Sequence, residues 1–297
     1  MSNAILFDSS RCSSCKGCQV SCKTWNNLAS PLEVNAAGFS GSLQNPLDLN
    51  GDTRLIVTFD ERKEAEGGNK GVEWAFGRRA CMHCSDPACV TACPSECLSK
   101  DKETGFVRFE EDKCIGCQYC RSACPFDIPR HSHVTPLGQD IIINKCDGCL
   151  DRVSHGRVPA CVNTCQANSL HYGDREEMIK IAEERVQWLH DEGYDEASIY
   201  GLDQCGGLHV IYVLKYDISM YGLPKDPHAD GMVDLLNLMR PLAGLAAGAT
   251  IVGLGVSFLT GLGYKRDELR YDEKTHDIID VKTGDVVKHI DVEGGER

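Results

Sequence analysis

Residues 114–125, Cys114-Ile-Gly-Cys117-Gln-Tyr-Cys120-Arg-Ser-Ala-Cys124-Pro125, set four thiols in a C-x2-C-x2-C-x3-C-P run. Few folds accommodate that spacing. Two residues between cysteines let one tight loop present successive sulfurs to neighbouring corners of a metal–sulfur cube, while the fourth sulfur reaches a second cube. That fourth thiol needs a partner motif, which lies upstream in Cys81-Met-His-Cys84-Ser-Asp-Pro-Ala-Cys89-Val-Thr-Ala-Cys93-Pro94. The second gap is lengthened to four residues and the closing x3-C-P is kept. Proline after the last cysteine fixes φ and turns the chain away from a helix.

Two more groups complete the pattern. Cys12-Ser-Ser-Cys15-Lys-Gly-Cys18-Gln-Val-Ser-Cys22 keeps the spacing but has Lys23 in place of proline, which predicts a differently routed exit. Cys146-Asp-Gly-Cys149 and Cys161-Val-Asn-Thr-Cys165 keep the two ends, with the middle gap stretched to eleven residues and Gln166 following. Four motifs of one type over residues 12–165 form an internal repeat. Groups two and three are adjacent and read as one two-cluster ferredoxin unit; groups one and four then form another, into which the first is inserted.

Sixteen of the eighteen cysteines fall in these groups. Disulfide frameworks do not need repeated x2 spacing. Zinc ribbons also use paired C-x2-C knuckles but usually separate them, so they fit the short central run poorly. A formal net charge of −13 argues against a nucleic-acid partner.

Exchange of the fourth ligand within each unit predicts four [4Fe-4S] sites. Cys12, Cys15, Cys18 and Cys165 form one set; Cys22, Cys146, Cys149 and Cys161 its neighbour. Cys81, Cys84, Cys89 and Cys124 form the third, and Cys93, Cys114, Cys117 and Cys120 the fourth. Cys97 and Cys205 fall outside every spacing and read as free thiols. His83, His131, His133, His155 and His171 lie near the groups but are not needed as ligands. Arg11, Lys113 and Lys145 each precede a first cysteine; a cation there favours the reduced, more negative state of a cluster, whereas an ordinary surface role is equally open.

The remainder frames these units. Residues 1–11 show no basic region followed by an apolar stretch and cleavage site, so export would have to be carried by a partner. Residues 31–77 form an insertion in which 55–59 and 72–76 read as a hairpin. Asp174 caps a helix with Glu177 as its box partner; Met178, Ile181, Ala182, Val186 and Leu189 recur at helical spacing before Gly193. Residues 208–216 read as a buried strand, with His209 a satisfied core residue. Residues 242–264 carry no charge and are long enough to span a bilayer. Gly244, Gly248, Gly253, Ser257 and Gly261 form a small-residue stripe suited to a neighbouring membrane helix. Lys265, Arg266, Arg270, Lys274 and Lys282 follow this stretch, against Lys225 and Arg240 before it, which predicts a cytoplasmic C terminus and an external cluster domain.

The expected fold is therefore α+β: two ferredoxin-like two-cluster units plus one C-terminal transmembrane helix. The outer unit spans 1–30 and 139–173, the inner unit 78–138, a packing segment 174–232, the membrane helix 233–264 and a polar acidic tail 265–297.

The sequence resembles the β (iron–sulfur) subunits of membrane-bound respiratory formate dehydrogenases of the N and O type. The residues that carry the likeness are the second and third cysteine groups with Phe126 and Ile128-Pro-Arg130, Asp151-Arg-Val-Ser154, Pro159-Ala-Cys161-Val162 and Gly222-Leu-Pro-Lys-Asp-Pro227, within residues 10–265. The cysteine groups alone specify the wider set of four-cluster subunits serving molybdopterin oxidoreductases. The resemblance implies a non-catalytic electron conductor in a heterotrimer or higher oligomer. Its partners would be a molybdenum- or tungsten-pterin α subunit that oxidises formate and a haem-b membrane subunit that reduces quinone. Two alternatives stand: the same wire for a nitrate, thiosulfate or sulfoxide reductase, and a zinc-stabilised membrane scaffold.

Overall fold

The computed structural model describes residues 2–28, 41–63, 71–131, 142–229, 231–262 and 268–290. Residues 31–40 and 64–70 of the insertion, His133, the side chain of His131, Lys265, Arg266 and residues 291–297 lie outside the described residues. The strands in chain order are β1 (Asn3–Asp8), β2 (Ile56–Lys63), β3 (Val72–Arg79), β4 (Leu98–Lys100), β5 (Val107–Phe109), β6 (Arg130–His131), β7 (Ile143–Asn144), β8 (Leu170–Asp174), β9 (Ser198–Tyr200), β10 (Val210–Leu214), β11 (Leu269–Asp272), β12 (Asp277–Asp280) and β13 (Val286–His289). The helices are α1 (Gly17–Trp25), α2 (Ala88–Thr91), α3 (Tyr119–Ser122), α4 (Leu150–Val153), α5 (Ala160–Asn163), α6 (Arg175–Asp191) and α7 (Gly231–Leu262). The chain divides into two compact units, Met1–Leu238 and Met239–Arg297.

The first unit is built on a four-stranded sheet of order β8-β1-β10-β9. β1 pairs in parallel with β10, Ile5 opposite Val210, and antiparallel with β8. Side chains alternate across a strand, and both faces here are apolar. Ala4, Leu6, Ile211 and Val213 pack beneath Met178, Ala182 and Leu189 of α6. Ile5, Phe7, Val210, Tyr212 and Leu214 face the opposite way, into the core that contains the cysteine loops. Each fully buried apolar side chain contributes about 1.5–3 kcal/mol, so the sheet is the rigid plate on which the loops are mounted.

Helix α6 begins where the capping signal predicts. The Asp174 carboxylate accepts from the backbone N–H of Glu176 at 3.0 Å, one position before the expected Glu177. Past its C terminus Gly193 adopts φ +88°, the left-handed conformation that ends helices. β2 and β3 form the expected hairpin. His209 is a satisfied core residue: Nδ1 donates to the Asn3 carbonyl at 2.7 Å and Nε2 lies 3.3 Å from Ser85 Oγ.

The second unit differs from the polar tail that its acidic composition predicts. β11, β12 and β13 form an antiparallel three-stranded sheet. Short apolar runs, Ile278-Ile279 and Val286-Val287, alternate with Asp-led turns, and charged neighbours mask the strand pattern in the sequence. Within α7, Leu245–Leu262 is long and apolar enough to cross a membrane, with mean hydropathy 1.8 and none of it buried.

Candidate metal centres

The cysteine loops share a backbone device. The second residue after the first cysteine of every group is left-handed: Ser14 (φ 54°), His83 (51°), Gly116 (70°) and Gly148 (74°). That conformation costs a non-glycine residue about 1–2 kcal/mol, yet two groups carry it on Ser and His. It curls the loop inward, and in group four the Gly148 N–H donates to Cys146 Sγ at 3.4 Å. A second left-handed residue follows three positions after the last cysteine in groups two, three and four: Glu96, Asp127 and Asn168. The turn after group four is thus made with Gln166 where groups two and three have proline. Group one departs as expected, because α1 runs on through Cys22 to Trp25 and the left-handed residue is Asn27.

Helix packing then brings distant groups together. α1 packs on α5, joining group one to group four, and α2 packs on α3, joining group two to group three. Cys22, Cys146, Cys149 and Cys161 line one small cavity, and all four are buried. Cys93, Cys114, Cys117 and Cys120 line a second. Cys12 lies within electrostatic reach of Cys15 and Cys165, and Cys18 of Cys12 and Cys15. Cys81 likewise faces Cys84, Cys89 and Cys124. Successive sets are also within electrostatic reach of one another: Cys18 of Cys161, Cys146 of Cys81, and Cys89 of Cys120.

Donors converge on the sulfurs, one of the means by which a protein sets a cluster's potential. The Ser169 N–H donates to Cys165 Sγ at 3.3 Å, Asn26 Nδ2 donates to Cys22 Sγ at 3.7 Å, and Ser95 Oγ lies 3.6 Å from Cys93 Sγ. Of the three cations that precede a group, only Lys145 is buried. Arg11 is 3.9 Å from Asp8 and Lys113 is 2.7 Å from Glu110, both about half exposed, so their charges are answered at the surface. Sequence reading missed Arg78, Arg54 and Lys100. Arg78 is buried and lines the cavity of Cys22, Cys146, Cys149 and Cys161 with Arg54. Lys100 Nζ donates to the Cys84 carbonyl at 2.6 Å, and burial pulls its pKa down to about 8. Their signal was faint: Arg78 sits three residues before Cys81, just past the β-prone run 72–76.

The extra cysteines are neighbours of the sets. Cys97 packs with Cys93, Cys114 and Cys120 and donates to the Glu110 carbonyl at 3.1 Å. Cys205 lies against Cys84. Among the histidines, His83 is fully buried and accepts from the Val107 N–H through Nδ1 at 2.9 Å. His155 and His171 bond to the carbonyls of Asp151 and Asn168 at the surface.

The donor set fits a polynuclear cationic group. Burial, with repulsion from neighbouring sulfurs, pushes the Cys120 and Cys149 thiols up to about 12 and Cys124 up to about 11. Such groups ionise together only around a centre that supplies positive charge. Among the described residues, no three His, Cys, Asp or Glu side chains are gathered closely enough to hold a single metal ion. The sulfurs instead surround space, as a cube requires and a zinc ion with sulfurs at about 2.3 Å does not.

Cysteine-lined cavities mounted on a mixed α/β core define an iron–sulfur electron carrier. Residues 72–175 match the family of 4Fe-4S dicluster domains. Over nearly the whole chain the similarity is narrower. The nitrate-inducible formate dehydrogenase iron-sulfur subunit of Escherichia coli is 39% identical over 277 residues, 92% of this chain and 89% of that one. The formate dehydrogenase iron-sulfur subunit of Haemophilus influenzae is 40% identical, covering 86% and 80%. The formate dehydrogenase-O iron-sulfur subunit of Escherichia coli is 38% identical, covering 89% and 84%. The chain belongs to the family of formate dehydrogenase iron–sulfur subunits, which carry electrons and leave catalysis to another chain.

Proposed function

We propose that this chain holds four [4Fe-4S] clusters on its sixteen grouped cysteines and conducts electrons from a formate-oxidising molybdenum- or tungsten-pterin subunit to a haem-b membrane subunit and quinone. One observation carries the reading: the four sulfur sets follow one another, each within electrostatic reach of the next through Cys18 and Cys161, Cys146 and Cys81, and Cys89 and Cys120. Each cluster, when bound, supplies one-electron storage. The chain's own residues supply the spacing, the N–H donors to sulfur and the burial. Packing of α1 on α5 and of α2 on α3 supports an outer ferredoxin-like unit interrupted by an inner one.

The two ends of this series differ from its middle. Cys15 is exposed at one end, and Ile115 and Tyr119 at the other are 68% and 60% exposed beside Cys114 and Cys120. These are the places where partner subunits would bring their own redox centres close. Leu245–Leu262 would cross the bilayer, and the excess of cations after it supports a reading with the C-terminal sheet in the cytoplasm and the sulfur sets outside. Formate as the electron source rests on the relatives, all three named for formate dehydrogenase.

The test is iron and acid-labile sulfide on the anaerobically purified complex, with EPR after formate and after dithionite. About 16 iron and 16 sulfide per chain, with cluster signals that formate itself reduces, is the expected result. Zinc without sulfide would point to the scaffold, and clusters that dithionite but not formate reduces would point to another oxidoreductase.

A further inference from the structure

Arg78 is 3% exposed, and none of its three guanidinium nitrogens makes a hydrogen bond of ordinary length and angle, the Tyr212 phenol offering at most a weak one. Among the described residues no carboxylate pairs with it. A buried guanidinium keeps its charge and presents five donors in a fixed fork, so leaving them without well-formed partners is among the costliest arrangements a core can hold. Its surroundings say what it is for. It faces the Tyr212 phenol and the sulfurs of Cys161, Cys146 and Cys18, and it lines the cavity of Cys22, Cys146, Cys149 and Cys161. The backbone fixes it there: Tyr212 Oη donates to the Arg78 carbonyl at 2.8 Å, and β3 is held by β2 along its whole length. Cys18 belongs to one set and Cys146 and Cys161 to the next, so the cation stands at the junction between two sets.

We propose that Arg78 is a positioning residue whose guanidinium donates to sulfur at this junction and whose fixed charge favours the reduced state of both adjoining clusters, leaving the other two clusters unaffected. This rests on the reading of the grouped cysteines as cluster ligands. The sulfur-rich cavity answers the unpaired donors, and a positive charge close to a group that gains an electron stabilises the reduced form. Lys would keep the charge without the fork, and Met would remove both.

The test is EPR-monitored redox titration of the purified complex carrying Arg78→Met or Arg78→Lys, with iron counted in each. In Arg78→Met two of the four midpoints fall, each by at least a tenfold loss in the one-electron reduction constant, about 59 mV. The other two stay, and Arg78→Lys moves the same two by less than half as much. Four unchanged midpoints, or four that move alike, at full iron loading overturn the proposal. Should Arg78→Met lose iron, the complex carrying Arg54→Lys and labelled with guanidino-15N arginine decides: nitrogen hyperfine coupling to a reduced cluster supports the proposal, and none overturns it. A wild-type complex without iron and sulfide would sink the ligand reading instead.

Discussion

The Lys145 ammonium lies 2.5 Å from the carbonyl oxygen of Val107, tying the approach to the fourth cysteine group to β5 of the inner hairpin. It also donates to the Cys146 carbonyl at 2.8 Å, so a buried positive charge is fixed beside a sulfur set by two backbone acceptors. Lys145→Met should lower the midpoint of an adjoining cluster by about a tenfold change in its reduction constant. Leaving the Val107 carbonyl unpaired should cost about 1–3 kcal/mol of stability. Lys113→Met, removing an exposed charge already paired with Glu110, should leave every midpoint in place. A redox titration of the two variants side by side checks the contrast.

Ligand cysteines and bystanders should separate by iron content. Cys149→Ser removes one member of a fully buried set and should drop the count from about 16 to about 12 irons per chain, or lower if the damaged set destabilises its neighbour. Cys97→Ser and Cys205→Ser should keep about 16. Iron loss in either of these would show that the spacing argument chose the wrong thiols.

Gly148 combines a left-handed φ of +74° with no room for a side chain: an added Cβ would stand 2.3 Å from Phe106 Cδ2. Phe106 is fully buried and cannot swing away. Gly148→Ala should cost about 2–4 kcal/mol from backbone strain and overpacking together, with loss of iron from the fourth group. Gly156 has a similar φ, +70°, but open space around it, so Gly156→Ala should cost only about 1 kcal/mol and keep its iron. Thermal melts of both variants isolate the packing contribution.

Arg130 is buried, and Asp127 meets it at 2.6 and 2.8 Å while Asp48 from the insertion reaches it at 2.9 Å. Although burial opposes it, pairing with Arg130 and Arg121 holds the Asp127 carboxyl below its ordinary value. A depressed carboxylate contributes stability that is fully present above the unfolded value, about 3.9, and is lost as pH falls through the lower folded value. Asp127→Asn should therefore be less stable than the parent at pH 7, with the difference closing below about pH 4. Melting temperatures across that range test it.

A charge in the middle of α7 should prevent membrane retention. Leu254 is exposed within the apolar segment, and Leu254→Arg should raise the cost of insertion by about 3 kcal/mol. The variant should move into the alkaline-wash supernatant while the parent stays in the pellet.

Much of the site was legible because cluster ligation demands fixed spacing, and spacing is written in the sequence. The hairpin of β2 and β3 and the cap at Asp174 were legible for local reasons, alternation and capping chemistry. What escaped depends on distant parts of the chain. Ser14 and His83 take the left-handed conformation that Gly116 and Gly148 advertise, and only the shared loop geometry reveals it. Arg78 follows buried Gly77 and precedes a second, half-buried arginine, so no alternation along β3 marks it; its burial follows from the packing of Tyr212, which lies 134 residues further along the chain. The C-terminal sheet was hidden because its strands are four residues each and carry nearly as many charges as apolar side chains.

β1 lies between β8 and β10, and its partners Leu170 and Val210 are made long after it. At about 5–20 residues per second, the interval between synthesis of Ile5 and Val210 is roughly 10–40 s. For most of that time the central strand lacks β8 as well as β10, Cys12, Cys15 and Cys18 wait for Cys165, and the core cannot close until β10 is added. The sheet thus acts as a clock: it cannot close over the cysteine loops until Val210 has been made, and the strand that began the chain is then the one that joins its two sides.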